Sequence, residues 1–220
     1  MISKILEKKK KRLPIHYKKV RQDIDNGLLI VVLGVSGSGK SDLVEDLCEA
    51  YKVHRIKTFT TKPPSKWDAT KYRFVTQREF DEKLKRGELT LLKKDTVPSN
   101  DELYVSKYHY YGAEDTIIGD GGIIILDWEG YTDLLSMRQS NVIAFLLNTD
   151  VSSAYFKKLS SSPEDADSRD KFLSSLVSSG EVFNSKLIDE LSLDFPIYKI
   201  NAKVPRDEIF QQVDSILKGL

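Results

Sequence analysis

Apolar runs of strand length and segments with helical spacing alternate along much of the chain. Leu28 to Val35 form a continuous apolar run, typical of a parallel strand that is covered on both faces. Apolar residues then recur at helical spacing between Ser41 and Tyr51. Further strands are predicted over residues 53–61, 121–127, 141–147 and 195–201, and Pro205 is predicted to open a helix. This alternation predicts an α/β fold in which a parallel sheet is flanked by helices.

The pattern changes between residues 58 and 113. A short helix is predicted from Phe80 to Lys85, ending at Gly87. Two apolar segments, 89–92 and 103–106, flank a turn at 98–101 and predict a β-hairpin. We therefore expect a small subdomain over 58–113, inserted into the larger α/β unit.

Composition narrows the class of protein. The chain has 220 residues, of which 40% are hydrophobic and 30% charged, as expected for a globular protein with a substantial core. No apolar run approaches the roughly 18–20 residues that a membrane span needs. Cys48 is the single cysteine, and residues 1–25 lack the apolar core of a signal peptide. These features predict a cytoplasmic protein.

Charge is concentrated at the beginning of the chain. The formal net charge is +1, but residues 1–25 hold nine lysines and arginines against three acids. We expect residues 1–27 to form a basic extension that precedes a domain over 28–220. The run from Lys8 to Arg12 could contact nucleic acid or an acidic partner. More often, such a run of basic residues forms a solvent-exposed arm without a partner.

A glycine-rich loop carries the clearest chemical signal. Residues 34–41 match the phosphate-loop pattern G-x-x-x-x-G-K-[ST] between a predicted strand and a predicted helix. Glycines let backbone N–H groups surround phosphate oxygens, and a helix N-terminus favours an anion. Lys40 can reach the β- and γ-phosphates, and the hydroxyl of Ser41 can bind Mg²⁺. The residues predicted to bind ATP are Gly34, Ser36, Gly37, Ser38, Gly39, Lys40 and Ser41.

An acidic residue ends another buried strand. Asp127 follows the apolar run 121–126, where a carboxylate can hold Mg²⁺ or its waters. The alternative is that Asp127 caps a helix or forms part of a turn. If the strand continued, Glu129 would point to the same side as Asp127.

Several short segments occur in an order that points to one family. They are Thr60-Thr61-Lys62-Pro63-Pro64, Lys71-Tyr72-Arg73-Phe74-Val75, Gly87-Glu88-Leu89, Tyr110-Tyr111-Gly112 and Leu126-Asp127-Trp128-Glu129. Together with the phosphate loop, this order resembles that of the guanylate kinases from about Leu28 to the end of the chain. The resemblance implies a P-loop kinase fold with a monophosphate-binding subdomain over 58–113 and a lid over 155–175.

The resemblance also implies an activity and a set of residues. Guanylate kinases transfer a phosphoryl group from ATP, with Mg²⁺, to GMP or dGMP. By position, Lys62, Tyr72 and Tyr111 would hold the acceptor's phosphate. Thr58 and Glu129 would lie at its base, and Lys158 and Arg169 of the lid would act with Lys40 and Lys62 in catalysis. The tyrosines could equally be core or hairpin residues.

Other positions depart from the family pattern. The second arginine for the monophosphate is replaced by Ser65, although Lys66 is adjacent, the guanine-reading glutamate by Leu91, and the serine after Tyr-Tyr-Gly by Ala113. Losing two polar contacts to the base predicts weaker selection of guanine. The sequence therefore predicts a nucleoside monophosphate kinase. Two alternatives stay open: a catalytically weak binding module of the same fold, and a P-loop kinase for a modified nucleotide.

Overall fold

The computed structural model describes residues 15–35, 37–64, 72–97, 107–114, 119, 121–137, 141–149 and 195–220. In chain order its elements are α1 (Ile15–Asp25), β1 (Leu29–Gly34), α2 (Lys40–Tyr51), β2 (Thr58–Thr60), β3 (Tyr72–Phe74), α3 (Gln77–Lys85), β4 (Thr90–Val97), β5 (Lys107–Ala113), β6 (Gly122–Ile125), α4 (Trp128–Met137), β7 (Val142–Asn148), β8 (Ile197–Asn201) and α5 (Arg206–Gly219). No described helix is long and apolar enough to cross a membrane.

A parallel sheet forms the centre of the larger unit. Its strand order is β6-β1-β7-β8, and β1 lies between β6 and β7 with Leu29 level with Gly122 and Val142. Residues Leu29 to Leu33 are at most 1% exposed, because apolar clusters cover both faces of β1. The α/β fold with a flanked parallel sheet is thus confirmed.

Helix α1 packs against this unit rather than standing apart from it. Val20 and Ile24 are buried in the same apolar cluster as Ile30 and Val32 of β1. A side chain on Gly121 would collide with the carbonyl oxygen of Ile24, so the end of α1 lies directly on the start of β6. Helix α1 therefore contributes apolar residues to the core of the larger unit. Val20 and Ile24 form an apolar stripe among the basic residues of this helix, and that stripe belongs to the core.

Two contacts hold α2, the helix that follows the phosphate loop. Arg206 at the start of α5 donates two hydrogen bonds of 2.7 Å to the carboxylate of Asp46. At the other end of α2, the hydroxyl of Tyr51 donates a 2.7 Å hydrogen bond to Asp214, which is buried. These bonds join α2 to α5 at two points and hold α2 in place directly after the phosphate loop.

A second, mixed sheet has the order β3-β2-β5-β4. Strands β4 and β5 pair antiparallel, while the predicted turn at 98–101 and the predicted strand at 103–106 lie outside the described residues. Helix α3 begins at a capping box in which Thr76 and Glu79 satisfy each other's backbone N–H groups. Its Phe80 packs with Phe59 and Leu89 beneath the small sheet.

The small sheet is attached to the β6 edge of the large one. The strand predicted over 53–61 is shorter than expected: only Thr58–Thr60 forms β2, and Arg55 makes a single parallel bridge to Ile123 of β6. Ala113, at the end of β5, is buried in the cluster that contains Leu126 and Trp128. Helix α4 also packs on β4.

Candidate functional site

The loop between β1 and α2 has the backbone geometry that phosphate binding requires. Gly34, Gly37 and Gly39 all have positive φ angles, of 147°, 83° and 95°. A Cβ on Gly34 would lie 2.7 Å from Oγ of Ser38 and 3.1 Å from the backbone of Leu147, so the position has no room for a side chain. These glycines let the chain turn tightly into the N-terminus of α2, where a phosphate group is favoured.

The polar side chains of the loop are held close to its backbone. The ammonium group of Lys40 donates to the carbonyl oxygens of Gly34 at 2.7 Å and Val35 at 2.8 Å. Oγ of Ser38 is buried and finds no hydrogen-bond partner among the described residues. Ser41, half-buried, is the second residue of α2. The loop and the first turn of α2 therefore bring together one lysine, Lys40, and two hydroxyl groups, those of Ser38 and Ser41.

Asp127 lies at the same edge of the sheet as the loop. In the parallel register Val32 pairs with Ile125, the last residue of β6, so Asp127 follows β6 at the same edge of the sheet at which the loop follows β1. One carboxylate oxygen of Asp127 accepts a 3.0 Å hydrogen bond from the backbone N–H of Gly130. Asp127 therefore caps α4, the alternative that the sequence left open.

Glu129 does not extend a strand. Strand β6 ends at Ile125, and Glu129 is an exposed residue in the first turn of α4. The expectation that Glu129 and Asp127 point to one side of a continuing strand is wrong, because Asp127 stops the strand by starting a helix.

One face of the small sheet brings together three predicted acceptor residues. Thr58 pairs with Tyr72 across β2 and β3, and Thr60 pairs with Tyr111 across β2 and β5. Alternation along a strand puts Thr58 and Thr60 on one face, and these pairs add both tyrosines to it. The two tyrosine rings have centroids 5.8 Å apart. Residues distant in sequence thus form one polar and aromatic surface.

Lys62 follows the end of this surface. Its backbone N–H donates to Oγ1 of Thr60 at 3.1 Å, and Tyr110 donates its N–H to Oγ1 of Thr61 at 3.0 Å. These two threonine hydroxyls fold the chain back after β2. Lys62 is half-buried in the resulting bend.

The two substituted base positions lie on opposite faces of the small sheet, because alternation along β5 puts Ala113 on the face of Tyr111 and Gly112 on the other. Ala113 is fully buried in the cluster beneath α4, and Leu91 pairs with Gly112, whose position alternates with that of Tyr111. Thr90 instead pairs with Ala113. The structure therefore does not bring Leu91 and Ala113 together as the apolar wall of a base pocket.

Some predicted site residues lie outside the described part of the chain. These are Ser36 of the loop and Lys158 and Arg169 of the predicted lid, together with the whole lid segment 155–175 and the basic run from Lys8 to Arg12.

Sequence reasoning missed one residue between the two sheets. Arg55 is half-buried, and its Nε atom is shielded from solvent with no hydrogen-bond partner among the described residues. The available signal was a cationic residue just before Ile56, inside a segment predicted as strand. No family motif covers this position, so the resemblance gave no reason to single it out.

The parallel sheet, the glycine loop at its edge and the attached small sheet define a P-loop kinase fold. A solved structure of guanylate kinase from Anaplasma phagocytophilum is similar, with a TM-score of 0.53 and 14% identity over 90% of this chain and 88% of that one. A gluconokinase from Sinorhizobium meliloti 1021 gives a TM-score of 0.46 and 16% identity over 87% and 91%. No family model and no curated protein matches the chain. The similarity to guanylate kinase shows the fold.

Proposed function

We propose that this protein is an ATP- and Mg²⁺-dependent kinase of nucleoside monophosphates, related in its arrangement to guanylate kinase. One observation carries the proposal: the complete phosphate loop, with its three positive-φ glycines, follows β1 at the same edge of a buried parallel sheet at which Asp127 follows β6. A loop that binds only a protein partner has no need of Lys40 and Ser41 in this geometry. The proposed location is the cytoplasm.

The residues at the loop fit a nucleotide with Mg²⁺. Gly34 leaves a cradle that a Cβ would fill, and the buried hydroxyl of Ser38 can donate to a phosphate oxygen. Ser41 and Asp127 supply the hard oxygen ligands that Mg²⁺ prefers, directly or through water. The ion, when bound, neutralises charge on the phosphate oxygens. Lys40 must then exchange its two backbone acceptors for phosphate oxygens.

The acceptor is proposed to bind at the small sheet. Lys62 would neutralise its phosphate, although an ammonium lacks the bidentate fork of an arginine. The hydroxyls of Tyr72 and Tyr111 would donate to the same phosphate, since their rings lie side by side on one face. Thr58 and Glu129 are proposed to contact the base.

The reaction needs positioning and charge neutralisation more than side-chain chemistry. A phosphate monoester is already ionised near neutral pH and can attack without a general base, so no covalent intermediate is required. Lys40 holds the donor and Lys62 the acceptor. Lys158 and Arg169 are proposed to add positive charge around the transferring group.

A coupled assay of ADP release tests the proposal. ATP and Mg²⁺ are supplied with each ribo- and deoxyribonucleoside monophosphate in turn, and with a modified monophosphate set. We expect one acceptor to be turned over well above the others. If no acceptor is turned over while ATP binding is intact, the kinase proposal is wrong and the binding-module alternative replaces it.

A further inference from the structure

Arg55 lies where the two sheets meet. It is bridged to Ile123 of β6, beside β1, and stands three residues before Thr58, the partner of Tyr72 in the small sheet. The ionisable groups whose charges act on it are Tyr72, Cys48 and Glu45. Its charge is therefore within electrostatic reach of both helix α2 and Tyr72 of the small sheet.

Among these neighbours the negative charge belongs to Glu45, whose carboxylate is shared with Arg206. Burial raises the pKa of the Cys48 thiol to about 11, so that group is neutral near pH 7. The carboxylate of Glu45 lies 3.8 Å from the guanidinium of Arg206. No described residue accepts a hydrogen bond from Nε of Arg55. Burial lowers the pKa of Arg55 itself, the direction expected for a cation short of partners.

A half-buried guanidinium that shares its neighbouring carboxylate with another cation is costly to a folded protein. An arginine remains charged at any ordinary pH, and a buried charge is normally paired with an opposite charge or a ligand. Packing alone therefore does not account for the burial of Arg55. The planar N–H donors of its guanidinium match the oxygens of a phosphate group.

We propose that Arg55 binds the phosphate group of the acceptor substrate, together with Lys62 and the Tyr72 and Tyr111 hydroxyls. This inference rests on the proposed kinase function and deepens it. Arg55 approaches the tyrosine face from the β6 edge and supplies the bidentate recognition that Lys62 lacks. In this proposal Arg55 supplies the positive charge that the family pattern places at position 65.

Phosphate binding can be measured apart from catalysis. The full chain is saturated with Mg²⁺ and a non-hydrolysable ATP analogue, which fills the loop, and inorganic phosphate is then titrated calorimetrically. For Arg55→Gln we expect phosphate affinity to fall about 10- to 100-fold, the loss of a charge-assisted hydrogen-bond pair. Arg55→Lys keeps the charge and should fall less. Lys57→Gln, an exposed cation two residues away, serves as the matched control and should bind as the wild type does.

Two results would overturn the inference: a wild-type chain that binds no phosphate with the loop filled, or an Arg55→Gln variant that binds it as tightly as Lys57→Gln. The proposed function fails separately. If Arg55→Gln loses phosphate binding but the wild type phosphorylates no monophosphate, Arg55 stands as an anion-binding residue and the kinase proposal falls. If the wild type is an active kinase and Arg55→Gln keeps its acceptor KM, only the inference about Arg55 falls.

Thermal unfolding separates a binding role from a structural one. Removing a half-buried charge whose neighbouring carboxylate is shared should leave the Tm of Arg55→Gln at or above that of the wild type. A Tm well below that of Lys57→Gln, with phosphate affinity unchanged, would make Arg55 a structural residue and contradict the inference.

Discussion

In the proposed function, the phosphate loop and the small sheet recognise phosphate in different ways, and the two regions match the guanylate kinase motifs to different extents. The loop works through its backbone, with three glycines at positive φ and one lysine bonded to loop carbonyls. The small sheet presents side chains, Lys62, Tyr72 and Tyr111, from three separate segments. The loop matches its motif at every position, whereas the segments compared with the acceptor site of guanylate kinases carry Ser65, Leu91 and Ala113 in place of the expected polar residues.

Backbone recognition leaves little freedom to change. Gly34 is enclosed by Ser38 and Leu147, so almost any substitution there would displace the loop itself. Side-chain recognition can move a charge from one segment to another if both reach the same point, as we propose for Arg55. A binding site made of side chains can therefore keep its ligand while losing its motif.

The largest effect is expected from Lys40→Ala in the loop. Removing a preorganised charge from the transferring phosphate should lower kcat about 10²- to 10³-fold without unfolding the chain. The measurement is ADP release with the best acceptor, with circular dichroism as the check on folding. Lys18→Ala, an exposed lysine on α1, is the control and should keep full activity. A Lys40→Ala variant with normal kcat would contradict the assignment of the ATP site.

A smaller effect, confined to the acceptor, is expected from Tyr72→Phe and Tyr111→Phe. Each variant loses one hydroxyl donor to a charged phosphate, which is worth roughly 1.5–3 kcal/mol, so the acceptor KM should rise about 10- to 100-fold. The KM for ATP should not change. Steady-state kinetics with each substrate varied in turn separates the two. Tyr198→Phe, whose ring packs on Phe145 in the large sheet, controls for the general loss of a hydroxyl. An unchanged acceptor KM would make the tyrosines structural.

Sequence reasoning predicted the large sheet better than the small one, for a physical reason. A strand buried on both faces, such as Leu29–Gly34, leaves an apolar run that only a few folds accept. Strand β2 is only three residues long and is defined by pairing with β3 and β5, which no local pattern reveals. The end of β6 at Ile125, caused by the cap at Asp127, was likewise not visible in the apolar run.

The candidate site divides in the same way. The loop residues are contiguous, so one motif predicts them together with the helix that they precede. Thr58, Tyr72 and Tyr111 could be grouped only through the family resemblance, and the register then places them on one face. Arg55 was missed because its significance lies in burial beside a shared carboxylate, which depends on the tertiary structure.

Gly112 offers a test of the small sheet that leaves the loop untouched. A Cβ at this position would collide with the side chain of Leu89 and lie 2.6 Å from the carbonyl oxygen of Thr90. An added methyl group would therefore push β5 away from β4. Gly112→Ala should lower the free energy of unfolding by about 1–3 kcal/mol through overpacking. It should also raise the acceptor KM more than the KM for ATP. Urea denaturation measures the first effect.

Gly219→Ala is the matched control, since nothing lies within 4 Å of its Cβ position near the end of α5. It should leave stability unchanged or slightly higher. Equal stability of both alanine variants would mean that β4 and β5 can separate without cost, contrary to the packing of Leu89 beneath them.

The smallest effect at neutral pH is expected where the two regions join. Tyr131 of α4 is fully buried in the cluster that contains both Val31 of β1 and Ala113 of β5. Burial raises the pKa of its hydroxyl to about 12, and that hydroxyl has no hydrogen-bond partner among the described residues. Tyr131→Phe should therefore change the free energy of unfolding by less than about 1 kcal/mol at pH 7, since no buried partner is left unsatisfied.

The effect of Tyr131→Phe should grow in alkali. In the unfolded chain Tyr131 loses its proton near pH 10, while in the folded chain it keeps it until about pH 12. The unfolded state thus binds fewer protons between these values, and wild-type stability falls as pH rises through this window, by about 1.4 kcal/mol per pH unit from this residue. Tyr131→Phe should remove that part of the slope, as measured by urea denaturation from pH 9 to pH 12.

Tyr51→Phe is the contrasting variant, because it loses a buried hydrogen bond to Asp214 and should be destabilised already at pH 7. If Tyr131→Phe left the alkaline slope unchanged, Tyr131 would have to be accessible to solvent, and the cluster joining the two sheets would be looser than its burial indicates.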